Sequence, residues 1–64
     1  MLTGRQLDVL GLLARGLTNH RVAVLLGISE VTVRKHSQDA RSRLGARNTA
    51  HAVWIALTRG LIVP

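Results

Sequence analysis

Gly27 constrains the fold more than any other residue, because it separates two segments that both carry helix signals. Glycine tolerates the left-handed backbone conformation that is common just past the end of a helix. Before it, Thr18 is a good N-cap, and apolar residues follow at helical spacing. Two residues after it, Ser29 is a second good N-cap. We therefore predict a short helix over 19–26, a tight turn, and a longer helix over 30–44.

The longer helix is predicted to have different chemistry on its two sides. Residues at helical spacing form an inward side of Val33, Ala40 and Leu44, with Ser37 among them. The other side is polar and cationic and carries Arg34, Lys35, Gln38, Arg41 and Ser42. Two capped helices joined by a glycine turn, the second with a cationic face, are typical of a helix-turn-helix DNA-binding motif. We place this motif at about residues 19–38.

One further helix is predicted on each side of the motif. Thr3 and Gln6 have the spacing of a capping box and begin a helix over 4–15. Asn48 is an N-cap for a fourth helix over 49–58. The inward face of that fourth helix is predicted to hold Ala50, Val53, Ala56 and Leu57. No strand pattern occurs, so the predicted fold class is all-α, with four helices in one domain over residues 1–64.

The charge balance points to a polyanionic partner. The 64 residues contain nine lysines and arginines but three carboxylates, which gives a net charge of +6. Nucleic acid is the commonest partner of such a basic excess, although a merely solvated cationic surface is the alternative. The sequence has no cysteine, and no apolar stretch is long enough to span a membrane. We expect neither a disulfide, a membrane segment nor a signal peptide.

Three polar residues on one side of the longer helix are the candidates for contacting base edges. Arg34 and Gln38 are four residues apart and thus lie one turn apart on the same side, with Lys35 alongside. Arginine and lysine match the acceptors of guanine in the major groove, and glutamine matches adenine. A solvated helix face is the alternative interpretation of these three residues.

A second set of residues is expected to hold the DNA backbone. Hydroxyl groups and the free amides at helix N-termini favour a phosphate, and arginines add charge. The candidates are Thr18, Asn19, Ser29, Thr32, Arg41 and Arg47. Capping alone would also explain Thr18 and Ser29. His36, beside the inward side, is expected to pack, with a phosphate contact as the alternative.

Catalysis is not expected. His36, Ser37 and Asp39 are neighbours on one predicted helix and point in different directions, so they cannot form a nucleophilic relay. The three histidines match no common zinc spacing, and we expect no metal and no cofactor. Two alternatives remain: an RNA-binding or sigma-factor-like module, and a protein-interaction module with a degenerate helix-turn-helix that does not bind DNA.

Motifs along nearly the whole chain follow one pattern of order and spacing. They are Leu2-Thr3-Gly4-Arg5-Gln6, Val9-Leu10, Leu13-Ala14-Arg15-Gly16-Leu17-Thr18-Asn19, Leu26-Gly27-Ile28-Ser29, Val31-Thr32-Val33-Arg34-Lys35-His36, Arg43-Leu44-Gly45-Ala46-Arg47-Asn48, Ala52-Val53 and Gly60-Leu61-Ile62. In these motifs the chain resembles the DNA-binding domain of the LuxR-type (GerE-like) transcription regulators. The chain departs from the family at Ser37 and Ala40, which replace larger apolar residues, and at Val24 and Leu25, which stand where the family is usually charged.

The resemblance implies a four-helix domain whose third helix enters the major groove. It implies base contacts by Arg34, Lys35 and Gln38, the same residues that the helix geometry selects. It also implies a dimer on an operator with two half-sites, and a place as the C-terminal domain of a longer regulator behind a receiver or sensor domain. The expected location is the bacterial cytoplasm, in association with the nucleoid.

The outer face of the fourth helix is the expected dimer interface. If the inward face is assigned correctly, the outer face carries His51, Trp54, Ile55 and Thr58. Trp54 is the only aromatic residue of the chain, and aromatic anchors are enriched at interfaces. The alternative is that the phase of this helix is wrong and that Trp54 belongs to the core.

Overall fold

The computed structural model describes residues 1–63, and within them the chain forms four helices and no strand. They are α1 (Gly4–Ala14), α2 (Asn19–Leu26), α3 (Glu30–Leu44) and α4 (Thr49–Thr58). The all-α prediction is confirmed, and the predicted bounds differ at one residue. α1 ends at Ala14 because the amide of Arg15 donates to the carbonyl of Leu12 and the amide of Gly16 to that of Leu13, which tightens the last turn.

Every helix begins with a side chain that accepts a backbone amide. The bonds run from the third helical amide to the cap and are 3.1 Å at Thr3, 3.2 Å at Thr18, 3.1 Å at Ser29 and 2.8 Å at Asn48. At Thr3 the capping box is complete, since the amide of Thr3 donates to the side-chain oxygen of the buried Gln6 at 3.1 Å. Such a cap contributes about 1 kcal/mol, so the sequence determines where each helix starts.

The turn between α2 and α3 depends on Gly27. Its φ of +69° lies in the left-handed region, its amide donates to the carbonyl of Val24, and the amide of Ile28 donates to that of Ala23. A side chain would strain this conformation, because a Cβ at positive φ crowds the backbone. Gly27 thereby sets the direction in which α3 leaves α2.

Two clusters of buried side chains form the core of the described chain. One joins α1, α3, α4 and the segment after α4 through Leu10, Ala40, Ala52, Ala56 and Ile62. The other joins α1, α2 and α3 through Val9, Val22, Ala23 and Val33. Because α3 contributes to both clusters, one of its sides is fixed and the opposite side is left to solvent.

The predicted inward face of α4 is confirmed at Ala56, which is buried, and at Val53, which packs against the core, but it is wrong at Ala50 and Leu57. Ala50 is exposed and Leu57 is 36% exposed, whereas Ala52, Ile55 and Ala56 are buried. All of α4 except Thr49, His51 and Thr58 is apolar, so periodicity alone left several faces equally plausible. Packing against α1 and α3 buries the face that carries Ala52 and Ala56.

The small residues on the inner side of α3 are accommodated without an unpaired polar group. Ser37 is buried, and its hydroxyl donates to the carbonyl of Arg34 at 2.9 Å. Ala40 is fully buried, but Val24 and Leu25 do not compensate for its small size, since they are 65% and 60% exposed. These two residues instead form an apolar pair on the surface of α2.

Candidate nucleic-acid interface

The three candidate base-contacting residues lie together on the open side of α3. Arg34, Lys35 and Gln38 are all exposed, while Val33 and Ala40 on the opposite side are fully buried. At about 100° of rotation per residue, the three side chains occupy an arc of about 100° on the helix surface. We call this arc the reading face. The structure places all three where the sequence predicted.

Lys35 has a partner that the sequence analysis did not identify. Its ammonium nitrogen lies 4.0 Å from a carboxylate oxygen of Asp39, one turn further along α3. Both side chains are largely exposed, at 74% and 45%, and such pairs contribute about 0–1 kcal/mol. A pair this weak can open when Lys35 meets a base or a phosphate. The i, i+4 spacing was the available signal.

The N-terminus of α3 presents two hydroxyl groups. The side-chain oxygens of Ser29 and Thr32 lie 2.9 Å apart, and that of Ser29 also accepts the amide of Thr32. Capping therefore occupies the Ser29 oxygen as an acceptor. A hydroxyl pair that shares one hydrogen still has a second hydrogen to donate. The pair can cap α3 and bind an anion at the same time.

A contact between the starts of α2 and α3 was missed by the sequence analysis. His20 Nδ1 lies 3.2 Å from a carboxylate oxygen of Glu30, and both side chains are well exposed. The contact directs the carboxylate at the start of α3 toward α2. The partners are ten positions apart in the sequence, beyond any spacing within one helix, so this pair depends on the turn at Gly27.

The remaining candidates for backbone contacts are spread over three elements. Thr18, exposed at the start of α2, accepts the amide of Arg21 and keeps its hydroxyl hydrogen. Asn19 is half-buried, and so is Arg41 on α3. Arg47 is exposed in the turn before α4, where its backbone amide donates to His51 Nδ1 at 3.0 Å. His36, expected to pack, is half-buried.

The outer face of α4 differs in one residue from the prediction. Trp54 is 61% exposed and stacks on His51, with ring centroids 6.2 Å apart, and Thr58 is exposed. Ile55, however, is 8% exposed and belongs to the buried face, so its assignment to the outer face is wrong. The reason is the phase of α4 described above: Ile55 lies one turn beyond buried Ala52, and the two pack inward together.

Two general features of the described chain bear on its class. None of the helices within residues 1–63 is both long and apolar enough to cross a membrane. The same residues contain no group of three or more metal-binding side chains. The four-helix fold, in which α2 and α3 are joined by the turn at Gly27 and α3 exposes a cationic face, is that of a helix-turn-helix DNA-binding domain.

The chain belongs to the family described as bacterial regulatory proteins, luxR family, whose model matches residues 1–56. This family consists of transcription regulators, so the prediction that the chain is not an enzyme is confirmed.

Several curated proteins are similar to the chain. It is 36% identical over 61 residues to the transcriptional regulatory protein MctR of Rhizobium johnstonii, covering 95% of this chain and 28% of that protein. It is 42% identical over 57 residues to the nitrate/nitrite response regulator protein NarP of Escherichia coli, covering 89% of this chain and 26% of that protein. The chain thus spans about a quarter of the length of these relatives.

Solved structures agree with the family assignment. The transcription factor GerE superimposes with a TM-score of 0.93 at 32% identity, covering 97% of this chain and 92% of that chain. The Vibrio cholerae VqmA dimer, a LuxR-type receptor, superimposes with a TM-score of 0.90 at 35% identity, covering all of this chain and 30% of that chain.

Proposed function

We propose that α3 lies in the major groove of duplex DNA and that Arg34, Lys35 and Gln38 contact base edges there. The observation that carries the proposal is the two-sidedness of α3. One side is fixed in both core clusters, and the other presents three exposed donors on one arc. A helix fits the major groove in this way, and each well-matched pair discriminates by about 1–3 kcal/mol.

Phosphate contacts then come from groups on both edges of the reading face. The hydroxyl pair at the start of α3 and Thr18 at the start of α2 donate beside free helix amides. Arginines on α3 and in the following turn add positive charge. The full proposed set is Thr18, Asn19, Ser29, Thr32, Arg41 and Arg47.

The proposed assembly is a homodimer through α4 on an operator with two half-sites. Trp54 is its aromatic anchor, with His51 and Thr58 beside it, while Ile55 supports the helix from within. The VqmA relative is described as a dimer with a target DNA, which supports this arrangement.

Because the chain spans about a quarter of its relatives' length, we also propose that it acts as the C-terminal domain of a longer regulator. A receiver or sensor domain would precede it, and the name of the relative NarP, a nitrate/nitrite response regulator protein, supports this proposal. The regulator would work in the bacterial cytoplasm, bound to the nucleoid.

Selection of bound sequences from a random duplex pool tests the proposal. The chain is expected to enrich one short half-site, repeated at a fixed spacing. It should bind the enriched duplex at least about a thousandfold more tightly than random duplex, as specific DNA-binding proteins do. A pool that stays random after repeated rounds at low salt would overturn the proposal.

A second candidate function is supported by the exposed apolar pair Val24 and Leu25. A protein-interaction module would use this pair and Trp54 to hold a partner without touching DNA. The two functions differ in salt dependence. DNA binding weakens steeply as salt rises, because counterions are released from the phosphates, whereas an apolar interface responds little.

A further inference from the structure

We infer that Val31 belongs to the reading face and that its side chain contacts the C5-methyl group of a thymine in the operator. The inference rests on the proposed function, because it requires α3 to lie in the major groove. A methyl group offers no hydrogen-bond donor or acceptor to the polar head groups of the reading face.

The exposure of Val31 is the first observation. Its side chain is 67% exposed, and in the described part of the chain it belongs to neither core cluster. Val33, only two residues along the same helix, is fully buried. The two valines therefore have opposite environments, and packing explains only Val33.

The position of Val31 on the helix is the second observation. It precedes Arg34 by three residues, Lys35 by four and Gln38 by seven. At about 100° per residue, Val31 falls between Gln38 and Lys35 on the helix surface, inside the arc of the reading face. It is also the second residue of α3, and recognition helices contact bases mainly with their N-terminal residues.

The neighbours of Val31 in the first turn are engaged elsewhere. The Glu30 carboxylate is directed to His20 at 3.2 Å, and the Thr32 hydroxyl lies 2.9 Å from that of Ser29. Neither side chain covers Val31. The first turn of α3 thus offers the groove one apolar side chain flanked by polar ones.

The chemistry of the groove identifies the ligand. Valine has no hydrogen-bond donor or acceptor, so it cannot use the polar pattern of the base edges. The thymine methyl group is the apolar feature of the major groove, and apolar side chains recognise it. A single exposed valine elsewhere on a surface would need no explanation. Inside the reading face, it selects thymine over cytosine at one position of the half-site.

The test combines a protein substitution with removal of the methyl group from DNA. In the duplex enriched by selection, each thymine is replaced in turn by deoxyuridine, which lacks only that methyl group. Affinities of the unaltered chain and of Val31→Ala are measured on each duplex. Val24→Ala is the matched control, because Val24 is a similarly exposed valine on α2.

At one thymine the unaltered chain is expected to lose about fourfold in affinity on deoxyuridine substitution, the value of one buried methyl-sized group. Val31→Ala is expected to bind the thymine duplex more weakly than the unaltered chain does, by a comparable factor, and to lose no further affinity on the deoxyuridine duplex. Val24→Ala is expected to lose as much affinity on deoxyuridine substitution as the unaltered chain does. If Val31→Ala stays as sensitive to every methyl group as the unaltered chain, the inference is wrong although DNA binding stands. If no duplex is enriched, the proposed function itself fails.

Discussion

At the scale of single residues, the proposed interface assigns base contacts to some residues and phosphate contacts to others. Arg34 and Gln38 are exposed on the reading face, and Arg41 is a half-buried cation about 20° from Arg34 around the helix. Base contacts carry sequence information, whereas phosphate contacts mainly fix position. The two groups should therefore respond differently to substitution.

Arg34→Ala and Gln38→Ala are each expected to relax specificity at one base position, with a loss of about 1–3 kcal/mol on the selected duplex and little loss on random duplex. Arg41→Ala is expected to weaken binding to both duplexes alike and to lower the slope of log affinity against log salt by about one. Titrations at several salt concentrations measure both effects, and circular dichroism melting checks that the half-buried Arg41 does not act through stability. Equal losses on both duplexes for all three variants would contradict the division.

Asp39→Asn is expected to raise DNA affinity by about two- to fivefold, because it frees Lys35 from a weak pair and removes a negative charge beside the reading face. Asp8→Asn is the matched control, since Asp8 forms a comparable surface pair with Arg5 at 3.9 Å on α1. Low-salt titrations of both variants measure the effect. An equal gain for Asp8→Asn would mean that net charge, not the freeing of Lys35, is responsible.

At the scale of the elements, the glycines divide into those that the fold requires and those that it tolerates. Gly27 has a left-handed conformation, whereas Gly11 lies inside α1. A Cβ added at Gly11 would meet no atom of another helix within 4 Å, so close approach of a neighbouring helix does not explain this glycine. Gly11 weakens α1, and no contact in the structure compensates for this.

Gly11→Ala is therefore expected to stabilise the chain by about 0.5–1 kcal/mol, because alanine loses less backbone entropy in a helix. Gly27→Ala, by contrast, is expected to destabilise the chain by about 1 kcal/mol or more, since alanine must adopt a positive φ there. Thermal and urea unfolding measure both changes. If Gly11→Ala were less stable than the unaltered chain, the prediction would be wrong, because Gly11 would then have to contact a neighbouring element.

At the scale of the whole molecule, the two surfaces lie on different helices. α3 provides the reading face and α4 the proposed dimer face, and both helices pack through the cluster that contains Ala40 and Ala56. The distance between the two reading faces of a dimer is then fixed by the packing of α3 on α4. Half-site spacing should therefore follow from that packing.

Trp54→Ala is expected to weaken self-association by about 2 kcal/mol or more, roughly 30-fold, if Trp54 is the aromatic anchor. Because Trp54 is largely exposed, the fold should survive the substitution. Ile55→Ala is the contrasting variant, since loss of a buried side chain costs about 2–5 kcal/mol of folding stability. Sedimentation across a concentration series separates the effects. A chain that remains monomeric at all concentrations, with or without Trp54, would exclude this interface.

The sequence by itself determined the helices and most of the reading face. The helix starts and the turn depend on contacts with neighbours within four residues, so local spacing in the sequence predicts them. The residues responsible are the caps Thr3, Thr18, Ser29 and Asn48 and the turn residue Gly27. The helical spacing of Val33, Ala40 and Leu44 among polar residues likewise set the orientation of α3.

Tertiary packing alone decided the rest. The phase of α4 is set by how closely Ala52 and Ala56 let it approach its neighbours, and that buries Ile55 and exposes Ala50. The contact between His20 and Glu30 likewise exists only because two helix ends meet in space. An apolar helix shows no preferred face in sequence, since burial depends on the shapes that surround it.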